Sequence, residues 1–315
     1  MKAMAGFILG LLTGLTVVAQ APHGQPKPPA IVPASPPSLM TPAQFEALSS
    51  KPPDYRFSYG ADANQFGELR IPPGVGPYPV AILIHGGCFK AEYGTLHDLS
   101  PMAGALKGKG IATWNIEYRR LGQNGGGWPG TYLDVGSGVD YLRSIAAQNN
   151  LDLNRVIVVG HSAGGHLAMW VAARSRLPKT SNIYVQDPLS VRAVVDLAGT
   201  PDLEALIPAE QTSCGGPVIE QLLGGKPSDI PDRYAQASAS KMLPLGVPQT
   251  FVWGMRDDNV PVSIGEKYTR MAIDSGDAAR LVTFPDAGHF EIADPFFATW
   301  PTVEKEIVSL SMKRP

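Results

Sequence analysis

Val156-Ile157-Val158-Val159-Gly160-His161-Ser162-Ala163-Gly164 is the stretch from which the fold of this 315-residue chain can be read. Four consecutive β-branched apolar residues have the composition of a strand buried on both faces. The residues that follow, 163–176, carry a helical pattern. Gly-x-Ser-x-Gly between the two marks a sharp strand-to-helix turn that exposes a serine hydroxyl, and glycines are needed there because side chains would strike neighbouring backbone. Ser162 is therefore the candidate nucleophile.

Working outward, residues 80–84, 111–116, 191–197, 250–253 and 281–284 read as further strands, most of them near-continuous apolar runs. Helical patterns lie between them, at 102–108, 132–149, 263–275 and 301–312. Alternation of strand and helix implies an α/β fold, a mostly parallel central sheet with helices on both faces. Residues 56–59 and 66–71 precede that alternation and are expected to add antiparallel edge strands. One interval breaks the rhythm, because residues 199–248 place about fifty residues between two strands, long for such a connection. With its Pro, Gly and Asp punctuation and a helical piece at 217–223, this interval is expected to form a small cap beside the site.

Ahead of the domain the chain has a different composition. Met1-Lys2, an uncharged stretch over 3–21 and Ala19-Gln20-Ala21 form the pattern of a secretory signal peptide over residues 1–21. An uncleaved anchor is the alternative, weakened by Gly10, Thr13, Gly14 and Thr16. Cleavage implies an exported protein, periplasmic or secreted, without stable membrane association. Residues 22–53 are rich in Pro, Ala and Ser and read as a semi-stiff tether, within which Thr41 and Pro42 can start a short helix as N-cap and first residue. The folded domain is then expected over residues 54–315. With 44% apolar residues and a net charge of -2, disorder throughout is excluded and no basic field for nucleic acid is present.

A serine hydroxyl is a weak nucleophile at neutral pH, so a base must take its proton and a carboxylate must orient that base. Of the six histidines, only His289 lies more than a few residues downstream of Ser162, in a loop after the last strand. The acid is expected between base and nucleophile in chain order. Gly254-Met255-Arg256-Asp257-Asp258-Asn259-Val260-Pro261 offers two carboxylates after a strand, and its G-x-x-D-x-x-V-P pattern selects Asp257 over Asp258. Asp196 and Asp202 are fallback acids. Acyl transfer also needs donors for a tetrahedral oxyanion, and the N–H groups of Gly87 and Cys88, joined by that of Ala163, are the candidate oxyanion hole. His85 is expected to brace this loop. His161 and His166 are expected to pack or hydrogen-bond beneath the turn, since a spacing of five does not put two metal ligands on one helix face. No HExxH, no zinc-like Cys/His cluster and no GxxxxGK[ST] occurs, so neither metal nor cofactor is expected.

Taken together and in order, the HGG-containing loop, GHSAGG, GMRDDNVP and AGHF make the chain from about Pro79 to Phe290 similar to α/β-hydrolase-fold serine hydrolases. Within them, His85-Gly86-Gly87-Cys88-Phe89 and Glu117-Tyr118-Arg119-Arg120 resemble a branch of esterases and kynurenine-formamidase-like proteins with prolyl-oligopeptidase-type relatives. That branch often carries Tyr-Trp where this chain has Cys88-Phe89. The resemblance implies a cofactor-free hydrolase working through an acyl-enzyme on small or carbohydrate-linked carboxylic esters. A formamidase or serine peptidase of the same fold is the alternative, and a non-catalytic binding protein a second. Tyr118 and Trp128 either line the cleft or pack.

Two cysteines remain, Cys88 on the oxyanion loop and Cys214 in the cap. In an exported protein an even count suggests a disulfide, and a cap folded over the oxyanion loop would bring this pair together. The other reading is two unpaired thiols.

Overall fold

A computed structural model describes residues 38–312. The leader over 1–21 and the tether as far as residue 37 lie outside the described residues. The described chain opens with helix α1 (Pro42–Glu46), then β1 (Tyr55–Ser58), β2 (Phe66–Arg70), β3 (Tyr78–Ile84), α2 (Ser100–Lys107) and β4 (Ala112–Ile116). Next come α3 (Gly130–Asp140), α4 (Leu142–Ile145), β5 (Leu151–His161), α5 (Ala163–Ala173) and β6 (Ala193–Leu197). Four short helices follow, α6 (Leu203–Leu206), α7 (Glu210–Cys214), α8 (Val218–Leu223) and α9 (Pro231–Ala237). The chain ends with β7 (Gln249–Gly254), α10 (Val262–Asp274), β8 (Ala279–Phe284) and α11 (Trp300–Met312).

The eight strands form one sheet in the order β1-β2-β4-β3-β5-β6-β7-β8. β1 and β2 are antiparallel, and every neighbouring pair from β4 to β8 is parallel. The expected edge strands are thus in place. Every residue of β3, β4, β6 and β7 is buried, so both faces of the central sheet are covered. Helices α5, α10, α11 and α2 pack against it. α5 is buried along its whole length, which accounts for a composition that is apolar all round. The helix expected over 132–149 is broken at Tyr141 into α3 and α4.

Register decides where the site lies. Ile84 sits opposite Gly160, and Gly160 opposite Asp196, so the loops leaving β3, β5 and β6 open side by side at the carboxyl end of the sheet. In open α/β sheets that end is where ligands bind.

The domain also begins earlier than the composition implied. Residues 38–53, read as the end of a tether, pack on the body of the domain: Thr41 caps α1 through a capping box with Gln44, Pro42 occupies its first turn, and Phe45 is only 3% exposed. A proline that starts a helix and one that stiffens a linker look alike in composition. Phe45, the large apolar residue between them, is what draws the segment down.

Candidate active site

Ser162 links β5 to α5 with φ 55° and ψ −123°, a conformation costly for any residue but glycine and one that recurs where a side chain must be presented. Its N–H donates to the Leu197 carbonyl across the sheet (2.9 Å). The flanking glycines are required by close approach: a Cβ on Gly160 would lie 2.0 Å from the Gly164 carbonyl oxygen, and one on Gly164 2.0 Å from that of Ile84. The first turn of α5 therefore lies directly on β5 and β3. A Cβ on Gly86 would meet the Ser162 Cβ at 2.9 Å, so the loop after β3 passes beside the serine.

The structure pairs His289 with Asp257. His289 Nδ1 donates to Asp257 Oδ2 at 2.7 Å, with both side chains almost fully enclosed. Asp257 Oδ1 accepts the N–H groups of Asn259 and Val260, each at 2.8 Å, which locks the carboxylate in the turn after β7. Asp258 is exposed, and its Oδ1 lies 3.5 Å from the Asn259 side-chain amide. The fallback Asp196 uses Oδ1 to accept the Gly199 N–H (2.7 Å), and burial pushes its carboxyl up to about 8. Asp202 stands at the start of α6 in the cap.

His161 and His166 serve the framework. The His161 ring nitrogen Nε2 donates to the His289 carbonyl (2.9 Å), holding the backbone there, and burial followed by the nearby His289 pulls its pKa to about 3. His166 donates from Nδ1 to the Thr200 carbonyl (2.8 Å) and accepts from the Tyr132 hydroxyl (2.9 Å). Burial brings its pKa to about 4. Both rings are neutral near pH 7.

The candidate oxyanion loop is shaped by Gly87, at φ +98°, where a Cβ would strike the Tyr93 carbonyl oxygen at 2.4 Å. His85 braces the loop from beneath, with Nδ1 donating to the Gly86 carbonyl (2.9 Å) and Nε2 facing Glu117 Oε1 (2.9 Å). Burial alone would raise the Glu117 carboxyl, but His85 and Arg120 outweigh it and bring it to about 2. Tyr118 stacks on His85 and donates to its carbonyl (2.8 Å), while Trp128 packs edge-on against Tyr132. Of the two roles open to these aromatics, both take packing.

Cys88 and Cys214 form a disulfide, with Cα atoms 5.7 Å apart. It ties the loop after β3 to α7 of the cap, and Lys90 Nζ adds a hydrogen bond to the Cys214 carbonyl (3.0 Å).

These parts surround a cavity of about 240 Å³. Ser162, Ala163, His289, Gly87 and Cys88 line one side, and Thr200, Leu206 and Ser213 bring the cap to another. Two contributors were not foreseen. Pro42, Phe45 and Glu46 of α1 form a wall, and Asp98 lies near Glu46 at the rim. The readable signal for the first was a capping box beside a single large apolar residue. Nothing in the local sequence marked Asp98. Among the described residues no group of three or more His, Cys, Asp or Glu side chains is placed to hold a metal.

Comparison with known proteins agrees with this architecture. The chain is 26% identical over 223 residues to esterase LipC of Mycobacterium tuberculosis, an alignment covering 69% of this chain and 54% of that protein. It thus spans about half the length of the curated relatives it matches. Esterase B from Lactobacillus rhamnosis superposes with a TM-score of 0.71 at 18% identity, covering 85% of this chain and 91% of that one. A truncated carbohydrate esterase from gut microbiota does so with a TM-score of 0.69 at 21% identity, covering 84% and 100%. The sheet, the strand-to-helix turn and these neighbours define an α/β-hydrolase fold. The BD-FAE family model matches residues 70–270, well over half of the chain, and the protein therefore belongs to the BD-FAE family.

Proposed function

We propose that the protein is an exported serine hydrolase that cleaves carboxylic esters of small molecules or carbohydrates through an acyl-enzyme. The observation that carries this reading is Ser162, presented at the strand-to-helix turn into the same cavity as His289, whose far nitrogen is held by Asp257. With Nδ1–H donated to Asp257, the neutral imidazole keeps Nε2 free to accept the serine proton. Ser162 Oγ attacks the ester carbonyl, the proton passes to His289, and the oxyanion is stabilised by the N–H groups of Gly87, Cys88 and Ala163. As first residue of α5, Ala163 has an N–H without an acceptor inside the helix. His289 then protonates the departing alcohol. Water, deprotonated by the same imidazole, releases the acid and restores the serine.

The cavity supports an ester with a small acyl group, since about 240 Å³ is below the usual range for sites that enclose drug-sized ligands. Glu46, Asp98 and Tyr93 on its rim supply carboxylates and an aromatic face suited to an alcohol bearing further hydroxyls. Export rests on the leader pattern of residues 1–21 and is consistent with a disulfide between the two cysteines. A panel of aryl acetates, acetylated sugars and feruloyl esters, run beside N-formylkynurenine and peptide amides, tests the reading. Esters should lead by at least about 10²-fold in kcat/KM, a difference of roughly 3 kcal/mol in transition-state stabilisation. A formamide or peptide amide leading the panel would replace the ester reading with formamidase or peptidase chemistry, and no turnover at all would favour a binding protein.

A further inference from the structure

Three of the residues around His289 touch the same outlying piece of chain. Glu291 is 1% exposed, and its carboxylate bridges two backbone donors: Oε2 accepts the Gly288 N–H at 3.0 Å, and Oε1 accepts the N–H of Met40. Leu39 lies over Gly288 so closely that a Cβ there would come within 3.1 Å of both Leu39 methyls. Phe45 sets its ring between Phe290 (5.2 Å) and His161 (5.4 Å), and His161 in turn holds the His289 carbonyl. From the other side Thr299 Oγ1 donates to the Glu291 carbonyl (2.6 Å). The base therefore stands in a loop with few backbone bonds of its own, clamped by a segment about 250 residues distant in sequence.

From this geometry we infer that Glu291 and residues 38–48 are positioning elements for His289, acting on the rate of proton transfer through the placement of its ring. The inference rests on the serine hydrolase reading. A buried carboxylate is suited to this task because it accepts from two N–H groups at once. Glutamine, of the same shape, keeps one acceptor and turns its –NH₂ toward the other donor, so one of the two contacts becomes repulsive. The loop must then shift, and displacements of about 1 Å in a reacting group can cost on the order of 10²-fold in rate.

The test compares Glu291→Gln, Met40→Pro and wild type, all as the full chain. Met40→Pro removes the backbone donor and leaves the carboxylate in place, which guards against Glu291→Gln failing to fold. Each is measured as kcat per active site, the sites being counted by the burst of an aryl acetate, and as the rate of Ser162 phosphonylation by a fluorophosphonate. A positioning role predicts a fall of about 10- to 100-fold in kcat per titrated site, a parallel fall in phosphonylation, and KM within about threefold. A role in stability alone predicts a lower melting temperature and fewer active sites, each turning over at the wild-type rate, and would overturn the inference. Wild-type protein that neither hydrolyses esters nor labels at Ser162 would overturn the serine hydrolase reading and this inference with it. Active wild type with unimpaired variants overturns the inference alone.

Discussion

Exchanging Asp257 for asparagine should lower kcat by about 10⁴, close to 5 kcal/mol of transition-state stabilisation. The magnitude follows from which oxygen of the carboxylate is already engaged. Oδ1 is held by the N–H groups of Asn259 and Val260 at 2.8 Å each, leaving Oδ2 for His289 at 2.7 Å. In the variant those two donors retain the amide oxygen, so the –NH₂ group faces Nδ1. The imidazole must then accept at Nδ1 and carry its proton on Nε2, the tautomer unable to take a proton from Ser162. Because the two backbone bonds survive, stability should fall little. Asp258→Asn, at an exposed carboxylate, should stay within about threefold of wild type. The assay is kcat at saturating aryl acetate, normalised to titrated active sites, together with thermal melting. Asp257→Asn retaining more than a few per cent of wild-type kcat, or Asp258→Asn proving the more harmful, would refute the assignment of the acid.

Other expectations concern stability and protons. Protein purified from an oxidising compartment and denatured without reductant should show no free thiol; two titrating thiols would contradict the bridge. Cys88→Ser with Cys214→Ser should destabilise by up to about 5 kcal/mol, the chain-entropy limit for a loop of this size, with kcat reduced as the oxyanion loop is freed from the cap. Folded Asp196 keeps its proton up to about 8, whereas the unfolded carboxyl releases it near its ordinary 3.8. The folded state binds more protons between those values, so the stability linked to this group is present below the lower one and drains away as pH rises toward the upper. Asp196→Asn should therefore melt increasingly above wild type between pH 4 and pH 8, and a difference independent of pH would count against a protonated Asp196. With His161 drawn to about 3 and His166 to about 4, neither ring charges on the upper part of an acid limb governed by His289. The plot of log kcat/KM against pH should rise there with a slope of one, and a slope of two would point to a second essential imidazole.

What could be read from sequence was whatever is encoded within a few neighbouring residues. Buried strands such as β3 and β5 show themselves as apolar runs, and Gly160-His161-Ser162-Ala163-Gly164 announces its turn because the glycines answer to backbone only a few residues or one strand away. His289 was proposed as base from chain order and Asp257 as acid from the turn that bears it, and the fold sets the two side chains 2.7 Å apart. Glu291 has no such marker. Its partners are Met40 and Gly288, and only the folded chain brings the first of them near. The same distance hid α1, whose Phe45 packs on His161 and Phe290 while its prolines resemble those of the preceding tether. Asp98 went unnoticed because the loop after β3 folds back on itself, setting its carboxylate against Gly94. Tyr118 and Trp128 could not be assigned, since aromatics that line a cleft and aromatics that pack beneath it have the same local sequence.

The most direct test of the account is the mass of the protein after reaction with a fluorophosphonate, followed by peptide mapping. A single adduct on Ser162, complete loss of ester hydrolysis in step with labelling, and neither adduct nor hydrolysis above about one per cent in Ser162→Ala are the predicted results. Hydrolysis that persists in Ser162→Ala, or an adduct on any other residue that tracks the loss of activity, would contradict it.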